Sequence, residues 1–215
     1  PFSWDLIRNK LVFGKRGIEK RYKFHLEKYK EDSTKQKTIC PTLLGEFGIP
    51  FDINNCKAYR KWFKGARNAK IWKKHVLALD LMYNAMDKLL IHGTHWNYTA
   101  SNRNDGRIGD GWNQEDFSIF SYDQRDDANE INKGGRAIEG FVRPFPHYIQ
   151  GDLLETRFDR KKGEYVLRYM LDPSIDKPTV IFVPGIQFPN GYTIQAHGVV
   201  VDKSSKEQKV YIKGD

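Results

Sequence analysis

The stretch 71-IWKKHVLALDLMYNAMDKLLIHGTHWNYT-99 combines a helix-length apolar pattern with a β-prone run directly behind it. Because apolar side chains return every three or four residues, the first part predicts an amphipathic helix, with Trp72, Val76, Leu79, Tyr83, Met86 and Leu90 on one face. Gly93 is a natural stop, and the run 94-THWNYT-99 after it is typical of a strand. A helix followed at once by a strand is half of a βαβ unit.

The other half of that unit lies upstream. The segment 38-TICPTLLGEFG-48 is short, apolar and bounded by glycine, which predicts a buried strand that begins after Pro41. Residues 57–70 are polar and basic and predict a loop or a short helix. Further upstream, residues 17–32 predict an amphipathic helix with Ile18, Tyr22, Leu26 and Tyr29 on its apolar stripe. The sequence therefore predicts a parallel pair of strands joined by helical structure.

The pattern changes downstream of residue 99. Residues 100–135 form a long segment rich in Gly, Asn, Asp and aromatic residues, which in a compact domain is typical of a functional loop. Short predicted strands then follow, at 152-DLLETRFD-159, 164-EYVLRYML-171, 178-PTVIFVP-184, 191-GYTIQAHG-198 and 208-QKVYIKG-214. Strands at this spacing indicate a small antiparallel β-sandwich, with a domain boundary near residue 143.

Charge is distributed unevenly along the 215 residues. Residues 1–74 hold 19 Lys and Arg against 7 Asp and Glu, a net charge of +12, whereas residues 75–215 hold 17 against 20, a net charge of −3. A solvated helical face, an anionic membrane surface or a nucleic acid would each account for this asymmetry. The basic segment carries no signature of a nucleic-acid-binding module, so we expect no nucleic acid partner and leave a peripheral membrane contact open.

Several other features limit the class of protein. The proportions of apolar and charged residues are those of a globular chain, and no run of about 18 apolar residues predicts a membrane span. The start, 1-PFSWDLIRNK-10, has neither an initiator Met nor a signal-peptide pattern, so we expect a piece of a longer protein and leave its compartment open. Cys40 and Cys56 do not have metal-site spacing, and we interpret them as small buried residues and leave their pairing open.

Six motifs occur in order along the chain: GEFG (45–48), THWNY (94–98), GDGWNQEDFS (109–118), RPFP (143–146), PTVIFVP (178–184) and the turn PNGY (189–192). In this order they resemble the C-terminal part of a glycoside hydrolase of family 5, most closely the endoglycoceramidase and glucosylceramidase-like branch. The resemblance implies that residues 1–142 contain strands 7 and 8 of a TIM (β/α)8 barrel. Residues 143–215 would then form the antiparallel β-sandwich.

The resemblance also implies roles for particular residues. Glu46 matches the catalytic nucleophile of the family, at the end of strand 7, and Trp96 matches the tryptophan that stacks on the sugar at the end of strand 8. The remaining implied substrate-binding residues are Asn97, Tyr98, Trp112 and Asn113. Glycines at 45 and 48 would leave the carboxylate of Glu46 accessible.

The implied activity is that of a retaining β-glycosidase on a glucoside or a glycosphingolipid such as a ceramide glycoside, without a metal or another cofactor. Such enzymes need two carboxyl groups about 5–5.5 Å apart. The acid/base glutamate of the family follows an asparagine at the end of strand 4, and no Asn-Glu pair of this chain fits it. Because a whole barrel takes about 250 residues, we expect a missing N-terminal half to supply that glutamate. Alone, the 215-residue chain should be inactive.

Three acids in the long loop, Asp110, Glu115 and Asp116, are alternative second carboxylates, although acids in such loops more often order the backbone. His95 precedes Trp96, so it should face away from the cleft as a structural histidine. A different class of function also stays open. The chain could be a non-catalytic carbohydrate- or glycolipid-binding remnant, or an inactive fragment, in which Glu46 does no chemistry.

Overall fold

The computed structural model of the chain describes residues 2–5, 9–35, 40–112, 114–204 and 208–214. It divides into two compact units. The first consists of Pro1–Tyr83 and Ile91–Phe141, and the second of Asn84–Leu90 and Val142–Asp215. Asn113, one of the predicted substrate-binding residues, lies outside the described residues.

Among the described residues, the first unit contains two small sheets and three α-helices. Its elements in chain order are β1 (Phe2–Asp5), β2 (Lys10–Phe13), α1 (Gly14–Thr34), β3 (Leu43–Phe47), α2 (Ile53–Phe63), α3 (Lys73–Leu89) and β4 (His92–His95). Strands β1 and β2 form an antiparallel hairpin that the sequence did not predict. A 3-10 turn, Ala69–Trp72, leads directly into α3.

Strands β3 and β4 run parallel, which confirms the predicted strand–helix–strand unit. Leu43 lies opposite His92 and Phe47 opposite His95, with a shift of register between these two pairs. Strand β4 ends at His95, whereas the sequence predicted a strand over residues 94–99. The backbone leaves the sheet there because the amide of Asn97 donates to the carbonyl of Phe117, at 3.3 Å, in the following loop.

Both predicted helices of the first unit are confirmed, with one correction on each. Helix α3 ends at Leu89, so the predicted stop at Gly93 is wrong, and Gly93 lies within β4. The other correction concerns the apolar stripe of α1. Ile18 and Leu26 are buried on the apolar stripe, but Tyr29 is 57% exposed. Residues 57–70, predicted as a loop or a short helix, contribute most of α2. Within α2, residues 54–56 have positive φ angles, so the regular right-handed helix begins only after a left-handed turn. Periodicity alone does not show such a turn.

The core of the first unit lies where α2 and α3 meet the segment after β3. Phe51, Tyr59, Trp72 and Leu79 are buried there together with smaller apolar side chains. The ring of Phe51 stacks on that of buried His75, with centroids 4.9 Å apart, and meets the indole of Trp72 edge to face at 5.4 Å. Aromatic pairs at these distances add to the stability that burial alone provides. The core therefore fixes α3 beneath the segment that follows β3.

The second unit is an antiparallel β structure. Its strands are β5 (Phe145–Tyr148), β6 (Gly151–Asp159), β7 (Glu164–Leu171), β8 (Thr179–Phe182), β9 (Val200–Ser204) and β10 (Lys209–Lys213). Four of them form a sheet in the order β5-β8-β10-β9, and β6 pairs with β7. Tyr165 and Leu167 of β7 pack against Ile181 and Val210 of the other sheet, so two antiparallel sheets share one core.

The strands predicted near β6, β7, β8 and β10 are confirmed, but the strand predicted over residues 191–198 is wrong. This segment contains no strand, although Tyr192 and Ile194 pack into the core of the unit. Alternating burial had suggested a strand, yet alternation reports only which side chains are buried and not whether the backbone has a hydrogen-bonded neighbour.

The last turns of α3 belong to the second unit. Arg143, whose side chain is 5% exposed, forms an ion pair with Asp87 at 2.8 Å. The same guanidinium donates to the side-chain oxygen of Asn84 at 2.7 Å. Helix α3 is thus continuous from the first unit into the second.

Two further expectations concern cysteine and membrane crossing. Cys40 is exposed and Cys56 half-buried, and the two do not form a disulfide, so the interpretation as small buried residues is wrong for Cys40. In the part of the chain that the structure describes, every helix is too short or too polar to cross a bilayer.

Candidate active site

Glu46 and Trp96 lie at the carboxyl edge of the β3–β4 sheet. Glu46 is exposed on β3, and Trp96 follows directly after β4. The backbone amide of Trp96 donates to the carbonyl of Phe47 at 2.8 Å, which ties the end of one strand to the end of the other. Among the described residues, Glu46 has no hydrogen-bond or ion-pair partner. Its carboxylate is therefore available to a ligand.

The two strands separate polar and packed side chains onto opposite faces. Phe47 is buried, with its ring 5.3 Å from that of Tyr83 and 5.2 Å from that of His95. Since successive side chains of a strand alternate between faces, Glu46 and Trp96 point away from this aromatic cluster. His95 is thus on the packed face, as the sequence predicted.

His95 is held as a neutral histidine. Its Nδ1 lies 3.1 Å from the hydroxyl of Tyr83, and its Nε2 is buried without a hydrogen-bond partner. Burial lowers the pKa of His95 to about 4, because a charged imidazolium would lose its hydration. A proton-transfer role at neutral pH does not suit this residue.

Gly48 permits a close approach that a larger residue would prevent. A Cβ atom built at this position would lie 2.2 Å from the carbonyl oxygen of Trp96, whereas a Cβ built at Gly45 meets no atom within 4 Å. The hydroxyl of Thr94 donates to the carbonyl of Gly45, a second link between the strands. Gly48 is thus required by the backbone of Trp96, whereas the sequence had suggested a need to admit substrate.

Asp110 organises the loop that follows β4. Its carboxylate is buried and accepts three hydrogen bonds: from the side-chain amide of Asn97 at 2.7 Å and from the backbone amides of Trp112 and Phe117, each at 3.1 Å. A carboxylate with this many donors is typical of a structural anchor. This confirms the interpretation of Asp110 as a loop-ordering acid and argues against a second catalytic carboxylate.

The remaining predicted aromatic residues are exposed. Trp112 is 57% exposed, and its ring meets that of Trp96 edge to face with centroids 6.3 Å apart. Tyr98 is 64% exposed and rests at a tilt against Phe120, at 5.3 Å. The structure therefore brings Trp96 and Trp112 together beside Asn97. Their flat faces suit the apolar face of a sugar ring.

A buried ion pair ties the same loop to the helices. Arg136 and Asp116 have side chains that are 0% and 1% exposed, and a guanidinium nitrogen of Arg136 donates to the Asp116 carboxylate at 3.0 Å. Arg136 also lies over the ring of Phe51 at 4.0 Å, and the hydroxyl of Tyr59 donates to Asp116. Burial raises the pKa of the Tyr59 hydroxyl, which keeps it a donor. Asp116 is therefore also structural.

His75 extends this network and is likewise uncharged. It is 2% exposed, and its Nε2 lies 3.1 Å from the carbonyl of Phe51. Burial lowers the pKa of His75 to about 4. In the described residues, no group of three or more His, Cys, Asp or Glu side chains is placed to bind a metal ion.

A family model for the glycoside hydrolase family 5 C-terminal domain matches residues 143–215. Residues 143–215 are thus similar to that domain. The resemblance of the chain to the C-terminal part of family 5 enzymes is confirmed by relatives and structures that cover most of it.

A glucosylceramidase from Rhizopus delemar is 32% identical over 83% of this chain, which covers 26% of that relative. The crystal structure of sterylglucosidase 1 from Cryptococcus neoformans matches 97% of the chain with a TM-score of 0.80 and 25% identity, and the match covers 32% of that protein. Endo-glycoceramidase II from Rhodococcus matches 93% of this chain and 34% of its own, with a TM-score of 0.51 and 13% identity. The chain thus spans about a quarter to a third of the length of these relatives.

Sequence reasoning did not single out every residue that builds this edge. The anchoring role of Asp110 was only one of two alternatives, and the link from Thr94 to Gly45 was not predicted. Ser118 was also missed, although its hydroxyl accepts hydrogen bonds from the amides of Thr99 and Phe120 at 3.0 and 3.2 Å. The only sequence signal was the run of small polar residues around the aromatic ones, which is typical of turns.

Proposed function

We propose that this chain supplies the nucleophile of a retaining β-glucosidase that acts on a lipid-linked glucoside. Glu46 attacks the anomeric carbon and carries a covalent glucosyl intermediate, and water then releases the sugar. The acid/base carboxyl comes from residues outside this chain. Residues 1–142 act as the C-terminal part of a TIM barrel and residues 143–215 as a β-sandwich.

The observation that carries this proposal is the position of Glu46. It is a partnerless, exposed carboxylate at the carboxyl edge of a parallel sheet, beside the Trp96–Trp112 pair. In TIM barrels, catalytic groups come from the carboxyl ends of the strands. Trp96, Trp112 and Tyr98 provide aromatic faces for the sugar, and Asn97, held by Asp110, provides a polar group for its hydroxyls. Asn113 is proposed to contribute to the same wall.

The names of the relatives support the proposed class of substrate. Those names are glucosylceramidase and sterylglucosidase. The part common to both is a β-glucoside on an apolar, membrane-resident alcohol. We assign that class to this protein.

The proposal is tested on the native full-length protein with glucosylceramide and a steryl glucoside as substrates. Glu46→Gln should lower kcat by at least about 10⁴-fold, because the nucleophile is lost. Glu46→Ala with added azide should form an α-glucosyl azide, since azide then attacks from the side of the missing carboxylate in a single displacement. Glu164→Gln, a change of an exposed acid on β7, serves as the control and should retain activity.

Two results would contradict the proposal. Full activity of Glu46→Gln would show that Glu46 does no chemistry. If the unaltered full-length protein bound the glucoside but did not hydrolyse it, the result would favour a glycolipid-binding remnant.

A further inference from the structure

A second surface of the first unit carries a charge pattern that the catalytic proposal does not use. Residues 53–79 contain no acidic side chain and eight basic ones, namely Lys57, Arg60, Lys61, Lys64, Arg67, Lys70, Lys73 and Lys74. All eight are exposed, and none forms an ion pair with another described residue.

The basic side chains of α1 behave differently. Helix α1 mixes seven basic with four acidic residues, and Lys23 pairs with Glu27 at 3.1 Å. Pairs of this kind neutralise charge on an exposed helix face. The excess positive charge of the chain is therefore concentrated on α2, the 3-10 turn and the start of α3.

Four of these lysines line one cavity of about 240 Å³. Lys57 and Lys61 come from α2, and Lys73 and Lys74 open α3. The rest of the lining contains no acid and consists of Ile53, Asn54, Ala58, Ile71 and His75. Four lysines and no acid in the lining make the electrostatic potential of the cavity positive, which attracts an anion. The cavity therefore matches an anionic group.

Helix α2 also carries an exposed aromatic residue. Phe63, at the end of α2, is 69% exposed. Its neighbour Trp62 is half-buried beneath the guanidinium of Arg67, which lies 3.9 Å from the ring centroid. Cationic side chains next to exposed aromatic rings are the combination by which peripheral proteins bind an anionic bilayer.

We infer that the surface formed by α2, residues 69–72 and the start of α3 docks on anionic phospholipids of a membrane. The lysine cavity takes the phosphate of a headgroup. The inference deepens the proposed function, since a lipid-linked glucoside resides in a bilayer. It does not require Glu46 to be the nucleophile.

The test is co-sedimentation of the native full-length protein with phosphatidylcholine vesicles that contain or lack phosphatidylglycerol. Binding should require phosphatidylglycerol and weaken with salt. Replacing Lys57, Lys61, Lys73 and Lys74 by Gln should lower the partition coefficient on the order of 1,000-fold, because each lysine near such a surface contributes about 1 kcal/mol. A variant in which Arg replaces the same four lysines keeps the charge and should retain binding. This comparison separates loss of charge from loss of fold.

The control removes the same charge elsewhere: Gln replaces Lys20, Lys28, Lys161 and Lys177, which are exposed and lie outside residues 53–79. Its partition coefficient should fall by less than about tenfold. If the partition coefficient fell equally in the two Gln variants, net charge alone would explain binding, and the inference would be overturned. Equal binding to vesicles with and without phosphatidylglycerol would also overturn it. So would RNA that competes with the vesicles for the protein, if this competition is lost when the four cavity lysines are replaced by Gln.

Vesicle binding by Glu46→Gln separates this inference from the proposed function. An inactive Glu46→Gln protein that still binds vesicles supports both. Failure of vesicle binding in an active protein contradicts the docking surface and leaves the catalytic proposal intact.

Discussion

Asp110 is the residue on which the proposed sugar-binding wall depends most. One carboxylate fixes the side chain of Asn97 and the backbone amides of Trp112 and Phe117. Each of these donors belongs to a different part of the loop after β4. Losing an acceptor would leave buried donors without partners, which costs more than the bond itself contributes.

We predict that Asp110→Asn raises KM and lowers kcat of the full-length enzyme, by about 10- to 100-fold in kcat/KM, because Asn97 and Trp112 lose their fixed positions. The free energy of unfolding should also fall by about 1–3 kcal/mol. Steady-state kinetics and urea unfolding measure the two effects. Asp105→Asn is the control, since Asp105 is a half-buried loop acid that pairs with Arg107 and touches none of these donors. Wild-type kinetics in Asp110→Asn would rule out a positioning role.

At the scale of elements, the β3–β4 pair depends on two glycines with different requirements. Gly48 lies against the carbonyl of Trp96, whereas Gly45 faces open space. Both flank Glu46, so the two positions form a matched pair for testing the spacing of the strands.

Gly48→Ala should destabilise the protein by about 2–3 kcal/mol, because its methyl group would have to displace the backbone of Trp96. Gly45→Ala should be neutral or stabilising by up to about 1 kcal/mol, since alanine has less backbone freedom to lose than glycine. Thermal or urea unfolding of the two variants provides the comparison. If both substitutions cost the same, the close approach is not what requires glycine at position 48.

The sequence predicted those elements in which the pattern of apolar and polar residues follows directly from which side chains are buried. The apolar repeat of α3 and the alternation of β6 and β7 reflect burial on one face, and all three elements were found near their predicted positions. Elements whose extent depends on hydrogen-bond partners distant in sequence were predicted less well. Strand β4 ends early because Asn97 bonds to Phe117, and residues 191–198 bury Tyr192 and Ile194 without pairing as a strand.

In the candidate site, too, the sequence identified some residues and missed others. Glu46 and Trp96 were identified through a family resemblance, and the structure places them at adjoining strand ends. Periodicity would not have distinguished Glu46 from any acid in a turn. The roles of Asp110 and Ser118 depend on backbone amides that a loop brings together, and no pattern of residue types encodes that arrangement.

At the scale of the whole molecule, helix α3 links the two compact units. Its residues up to Tyr83 belong to the first unit, and Asn84–Leu90 belong to the second. Arg143 of the second unit is held by Asp87 and Asn84 of this helix end. A buried arginine that loses its carboxylate leaves an uncompensated charge.

Asp87→Asn should therefore lower the free energy of unfolding by about 2–3 kcal/mol, somewhat less than for a fully buried pair because the Asp87 side chain is 20% exposed. Urea unfolding measures this loss. Asp176→Asn is the control, because Asp176 pairs with Lys213 on the surface and both side chains are more than half exposed. Equal stability of the two variants would show that Arg143 does not need Asp87.

The shared helix has a consequence for protein engineering. A gene fragment cut at residue 142 would carry all the strands of the C-terminal domain but not Asn84–Leu90, which complete its unit. Such a fragment would leave Arg143 without the carboxylate of Asp87. A stable transplant of this domain therefore has to include residues 84–90 as well, a requirement that a boundary drawn from the strands alone would miss.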